Sequence, residues 1–160
     1  MLKFKSKRKS IKKTTAYDEK YLWPIFSLFI RFRDTDKDGY GKCFTCSLVK
    51  HWSEADAGHG HSRKHKSVKY NEMNVHLQDK RCNGFEAGAR DIYAHEVDKR
   101  YGPCTWDKLT VQSRQTCKRA QFEYDVLTDH YCKEVIKLGL LKGIDATELT
   151  AVKRWLNRRK

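Results

Sequence analysis

Apolar side chains recur at helical spacing in several stretches of this chain and are scarce in one. Ile25, Leu28, Phe29 and Phe32 share one face of a helix predicted over Asp18 to Arg33. Pro24 fits such a helix only near its first turn, where the missing N–H forfeits no hydrogen bond. Phe85, Ala89, Ile92, Tyr93 and Val97 mark a second helix, closed by Tyr101-Gly102-Pro103. Ala120, Tyr124, Leu127, Tyr131, Val135 and Leu138 mark a longer one, with Gly139 as its expected stop. A last helix is expected from Asp145, with Glu148 in the capping-box position. Between the first two, from Cys43 to Asn83, His, Arg, Gly and Asn replace the periodicity, and short strands with tight loops fit best.

Charge changes this picture more than composition does. Across 160 residues, 34 Lys plus Arg face 20 Asp plus Glu, a formal net charge of +14. Such an excess on a small chain points to a polyanionic partner, nucleic acid first. Lys3, Lys5, Lys7, Arg8, Lys9, Lys12 and Lys13 all precede the first acid, Asp18. A block of like charges repels itself, so residues 1–16 read as a disordered arm that follows phosphates. The longest apolar stretch, Tyr21 to Ile30, is about half of a membrane span, and the basic start lacks a signal peptide's apolar core. No membrane is therefore expected, and a cytoplasmic location is the expectation. Asp34-Thr35-Asp36-Lys37-Asp38-Gly39 imitates the opening of a calcium loop, but Thr45 stands where a bidentate Glu is required. An acidic turn is the expectation there.

The cysteines add chemistry. Cys43-Phe44-Thr45-Cys46 is a CxxC pair, a pattern shared by zinc knuckles and redox motifs. The following Ser47-Leu48-Val49-Lys50-His51-Trp52 reads as a strand leaving a metal knuckle, not as the helix a redox motif needs. Cys104, Cys117 and Cys132 lack partner spacing and read as apolar fillers. Downstream come Asp56-Ala57-Gly58-His59, then Asn74-Val75-His76-Leu77-Gln78-Asp79-Lys80-Arg81-Cys82-Asn83. In order, this is a knuckle, a His, an Asn, half of a second knuckle and a polar residue directly after it.

That order resembles the HNH, or ββα-metal, nucleases, and its Cys82-Asn83 ending is similar to phage recombination endonuclease VII. A closer resemblance, over roughly residues 28–102, is to the phage NinG/Rap recombination endonucleases. It rests on Ile30-Arg31-Phe32-Arg33-Asp34, the Cys43/Cys46 knuckle, Ala57-Gly58-His59, Ser62-Arg63-Lys64-His65 and Tyr70-Asn71-Glu72-Met73-Asn74-Val75-His76. Gln78, Arg81-Cys82-Asn83, Gly88, Tyr93 and Gly102 continue it.

The resemblance implies an α+β fold, a small zinc-stapled ββα-metal (HNH-like) core flanked by N- and C-terminal helices. Its parts would be the basic arm, a nuclease domain with a leading helix over 17–108, and a helical extension over 109–160. The implied activity is endonucleolytic cleavage of branched DNA such as Holliday junctions. His59 would be the general base, since imidazole titrates near the working pH. Asn74 would hold the loop that carries it. Asn83 and Asp56 would bind the catalytic Mg²⁺ or Mn²⁺; for Asp56 the alternative is a turn or cap carboxylate. Gly58 stands where many HNH enzymes carry Asp, and His61 rivals His59 as base or ligand. Cys43, Cys46 and Cys82 would bind structural Zn²⁺ with Asp79 as the fourth ligand; His76 in its place, or loss of the zinc, are the alternatives. Arg63, Lys64, His65, Lys80 and Arg81 would grip DNA phosphates. A two-fold dimer would suit a junction, with the long helix as its contact surface. The rival readings are a zinc-stabilised DNA-binding module without catalysis and a protein that binds or cuts RNA.

Overall fold

The leading helix is built in two pieces. In a computed structural model, which describes residues 17–84 and 89–159, a π-helical turn over Asp18–Leu22 runs straight into helix α1, Trp23–Arg33. Trp23 N–H bonds back five residues to the Asp18 carbonyl, and Pro24, which has no N–H to give, follows at once. Ile25, Phe26, Leu28, Phe29, Ile30 and Phe32 are all buried. A helix apolar on so many sides belongs in the centre of a fold.

Around α1 the chain lays down two antiparallel strand pairs. β1 (Tyr40–Lys42) pairs with β2 (Val49–His51). β3 (Asp56–His59) pairs with β4 (Val75–Gln78), setting Asp56 opposite Gln78 and His59 opposite Val75. Helices α2 (Lys80–Gly84), α3 (Arg90–Tyr101), α4 (Thr105–Ser113), α5 (Gln121–Leu141) and α6 (Thr150–Arg159) follow. The result is a mixed α+β fold of two two-stranded sheets and, among the described residues, six α-helices. No helix among them is long and apolar enough to cross a membrane. The basic arm, Phe85, Gly88 and Lys160 lie outside the described residues.

α5 packs along α1 on one side, and β3 with β4 on another. The main core therefore joins α1 to Tyr131, Cys132 and Val135 of α5, Val152 and Trp155 of α6, and Ala57 and Val75 of the hairpin. α5 and α6 share the core of the leading helix. The expected division after residue 108 falls inside α4, a helix that the apolar periodicity did not announce. A smaller cluster of Val68, Tyr93, Val97 and Leu109 lies under the loop that follows β3.

Three local expectations need correction. α5 runs through Gly139, whose missing Cβ would sit 2.8 Å from that of Ala146, so close packing and not termination calls for glycine there. The helix ends at Gly143 (φ +67°): Gly143 N–H bonds Leu140 and Ile144 N–H bonds Gly139, a Schellman stop. Asp145 caps a 3₁₀ turn, Ala146–Glu148, and α6 starts only at Thr150; Glu148 pairs with Lys153. Cys104 is exposed and is no filler, whereas Cys132 is buried in the core as expected.

The junction between α1 and β4 is polar and buried. Arg33 forms a fork with Asp34 at 2.8 and 2.9 Å. The same guanidinium donates to the Glu72 carbonyl at 3.1 Å and the Val75 carbonyl at 2.9 Å. Asp34 in turn accepts Leu77 N–H at 3.0 Å. Beyond it the acidic turn closes on Asp36, whose carboxylate accepts the N–H groups of Asp38 and Tyr40. Burial alone would raise the Asp34 carboxyl, but the His76 ring and the Arg33 fork hold it well below the ordinary carboxylate range. Folding thus favours the ionised form. The stability it contributes is complete above about pH 4 and is lost as the pH falls further. Asp34→Ala, which leaves the largely buried Arg33 only the Glu72 carboxylate at 3.6 Å, is expected to cost about 3 kcal/mol in urea unfolding. Asp34→Asn should flatten the loss of stability below about pH 4.

Candidate active site and metal centre

β3 delivers His59 to one side of the hairpin and Gly58 to the other. A Cβ at position 58 would lie 1.8 Å from Gln78 Oε1. The fully buried Gln78, held to Thr45 at 3.2 Å, fills the space that an acidic side chain at 58 would take. His59 lines a cavity of about 530 Å³ together with Trp23, His61, Arg63, His65, Asn83 and Arg90. Its Nε2 lies 3.0 Å from the Lys69 carbonyl. A carbonyl can only accept, so Nε2 carries the proton and Nδ1 keeps its lone pair. Burial, reinforced by the Arg63 and Lys69 charges and opposed by that carbonyl bond, pushes the imidazole down to about 4. The ring is therefore neutral at neutral pH.

Asn74, fully buried, ties down the loop beyond His59. Its Oδ1 accepts His61 N–H at 2.7 Å, and its Nδ2 donates to the His61 and Val68 carbonyls at 2.9 and 3.0 Å. Its own carbonyl accepts Gly60 N–H at 3.0 Å. The buried Tyr93 hydroxyl lies between the carbonyls of Gly58 and Asn74, at 3.1 and 3.0 Å. The sequence marks Tyr93 as a helix-face residue and as part of the family resemblance, but assigns it no role at the site. His61 is stacked on Trp106 at 4.1 Å, with Nε2 3.1 Å from the Thr110 hydroxyl.

Asn83 reaches the cavity from α2, and its Nδ2 donates to Asp56 Oδ2 at 2.9 Å. The strand start and the helix thus bring two oxygen-bearing side chains together, a donor set suited to a hard cation. Arg63 lies over the Trp23 ring and Arg90 over Trp106, at 5.5 and 5.8 Å. His65 Nδ1 meets the Ser113 carbonyl at 3.1 Å, while Lys64, Lys80 and Arg81 are exposed. The sequence reading did not include Trp23, Lys69 or Arg90, which carry no local motif and are gathered only by the fold.

The knuckle Cys43-Phe44-Thr45-Cys46 closes through Ser47, whose N–H bonds the Cys43 carbonyl at 3.0 Å with φ at +61°. The sulfurs of Cys43, Cys46 and Cys82 lie within 4.8 Å of one another. Although burial opposes it, Asp79 N–H at 3.2 Å and the Thr45 hydroxyl draw the Cys43 thiol down toward the thiolate. Three converging thiols could hold a soft divalent ion such as zinc. The expected fourth ligand does not join them. The Asp79 carboxylate is engaged by Lys50 at 2.9 Å and by Arg81 N–H at 2.9 Å, where it caps α2. His76 is fully buried, stacked on Phe44 at 3.9 Å and 2.9 Å from Arg33. Neither belongs to the three-sulfur group.

Two measurements follow from this geometry. Refolded with zinc, the protein should bind one equivalent by metal analysis. Cys43→Ser and Cys82→Ser should abolish that binding, and Asp79→Ala should retain it. Asn74→Ala removes the bonds to the His61 N–H and carbonyl and one of two to the Val68 carbonyl, which keeps Asn71 N–H, and should lower unfolding stability by on the order of 3 kcal/mol.

The family model described as Bacteriophage Lambda NinG protein matches residues 2–139. Comparison with curated proteins gives no match, and comparison with solved structures gives none. The matched span contains α1, both strand pairs, the three-cysteine group, the His59 cavity and nearly all of α5. The chain belongs to the family of the bacteriophage lambda NinG protein.

Proposed function

We propose that the protein is a metal-dependent DNA endonuclease of HNH-like fold that hydrolyses phosphodiester bonds in branched recombination intermediates. The observation that carries this reading is the convergence of His59 and Asn83 on one cavity, with Asp56 bonded to Asn83. The hairpin β3–β4 and helix α2 would be the ββα unit of that fold. Asp56 and Asn83 would hold Mg²⁺ or Mn²⁺ through oxygen. The cation would supply stabilisation of charge on the scissile phosphate and the leaving 3′ oxygen. His59, protonated on Nε2, takes a proton from water at Nδ1. Arg63, His65 and Arg90 gather phosphate at the cavity, and the +14 charge draws DNA without reading its sequence. Zinc on Cys43, Cys46 and Cys82 would staple the knuckle to α2. A two-fold dimer suits a junction, and the exposed Phe122 and Val126 on α5 offer it an apolar face.

One observation favours a second reading, a DNA-binding module without catalysis. Gln78 fills the volume where many HNH enzymes carry an acidic ligand, which leaves Asp56 as the one carboxylate bonded to Asn83 at the expected cation position.

Cleavage of a labelled four-way junction beside matched duplex, with Mg²⁺ or Mn²⁺, separates the two. The nuclease reading expects selective cutting of the junction by wild type. His59→Ala should bind equally and cut about 10²–10⁴-fold more slowly. Tight binding with no cutting in either metal would sink it in favour of the binding module. Protonation disables the base, so activity is lost on the acid side. With the imidazole near 4, kcat/KM should hold down to about pH 5, where a histidine at its ordinary value of about 6.5 would be mostly protonated.

A further inference from the structure

Lys69 is a lysine almost without water: its side chain is 6% exposed. Its ammonium lies 2.8 Å from Asp18 and 2.6 Å from Glu19, two consecutive carboxylates of the π-helical turn. Asp18 is itself buried, and its other oxygen accepts the Tyr70 hydroxyl. The buried Lys69–Asp18 pair, with the exposed Glu19 as a second acid at its edge, is a poor device for stability, because apolar side chains of similar volume serve as well or better. What it does is fix position.

The segment it fixes meets His59. The Lys69 carbonyl is the acceptor for His59 Nε2 at 3.0 Å. Each residue of the segment is gripped separately: the Val68 carbonyl by Asn74, Lys69 by Asp18 and Glu19, and Tyr70 by Asp18. The π winding matters here. It precedes α1 directly and carries the two adjacent acids that meet one ammonium. Glu19 also lies 4.0 Å from Arg63, so the same turn reaches a cation on the cavity wall.

We infer that Asp18, Glu19 and Lys69 form a positioning unit that sets the His59 tautomer through the Lys69 carbonyl. This rests on the reading of His59 as the general base. A carbonyl held against Nε2 keeps the proton there and leaves Nδ1 free to accept; a loose carbonyl lets the tautomers mix. None of the three residues touches the reacting atoms.

The test reads tautomer and cleavage separately. Long-range ¹H–¹⁵N spectra of full-length protein at neutral pH should show His59 protonated on Nε2. Lys69→Met should yield mixed tautomers and cut the four-way junction about ten- to a hundredfold more slowly in kcat, with junction affinity unchanged. Lys69→Arg should restore most of both signals. Because Lys69→Met leaves the buried Asp18 carboxylate without its ammonium, the variant Asp18→Asn/Glu19→Gln/Lys69→Met supplies a neutral counterpart that should fold and still show mixed tautomers. Nε2 protonation and full cleavage in the neutral variant would overturn the inference, as would an Nδ1-protonated wild type. Mixed tautomers in variants of a protein that cuts no DNA would uphold the positioning unit and overturn the nuclease reading.

Discussion

The ion pair between Arg33 and Asp34 is the constraint on which the rest of the molecule depends. It sits at the end of α1 and takes further bonds from Glu72, just before β4, and from Val75, His76 and Leu77 within it. β4 is only four residues long, and its partner β3 is no longer. Strands this short cannot place themselves by a ladder of hydrogen bonds alone. The pair sets the height of β4 against the central helix. The register of β4 then sets β3, and β3 carries Asp56 and His59. A largely buried fork resists slip, since a shift would weaken the pairing of Arg33 with Asp34 away from water.

Polar clamps of this kind recur wherever the fold has little apolar mass to use. The loop between β3 and β4 has Val68 as its one fully buried anchor in the smaller core; Asn74 adds three side-chain bonds to the backbone, and Asp18 with Glu19 holds Lys69 and Tyr70. The Cys43 knuckle shows the same economy, with Thr45, Gln78 and Asp79 N–H arranged around one sulfur and its neighbours. Among the described residues, three sulfurs meet there while the nearby acid is spent on Lys50 and the α2 cap. Such an arrangement favours a soft cation over a hard one. The Asp56–Asn83 pair, made of oxygen donors, has the opposite preference.

Much of this was legible from the residues. Ile25, Leu28, Phe29 and Phe32 announced α1, and the Tyr124–Tyr131–Val135 spacing announced α5, because packing against a core requires helical periodicity. The order of Cys43, Cys46, His59, Asn74, Cys82 and Asn83 carried the family resemblance, since metal and loop geometry restrict spacing more than they restrict the rest of the chain. α4 was illegible: Leu109 is its single buried large aliphatic, too little to register as a period. Gly139 misled because a glycine kept for close packing and a glycine kept for φ look alike in sequence.

The sequence by itself determined which segments wind, which cysteines group and which polar residues travel together, because those are matters of local spacing. Only the tertiary structure decided that Asp79 caps a helix while Gln78 fills the place of an acid, and that Lys69 from a distant loop meets two carboxylates of the first turn. Those outcomes depend on which buried charge finds a partner at bonding distance. Burial and partnership are properties of the packed chain, and no spacing of residues encodes them.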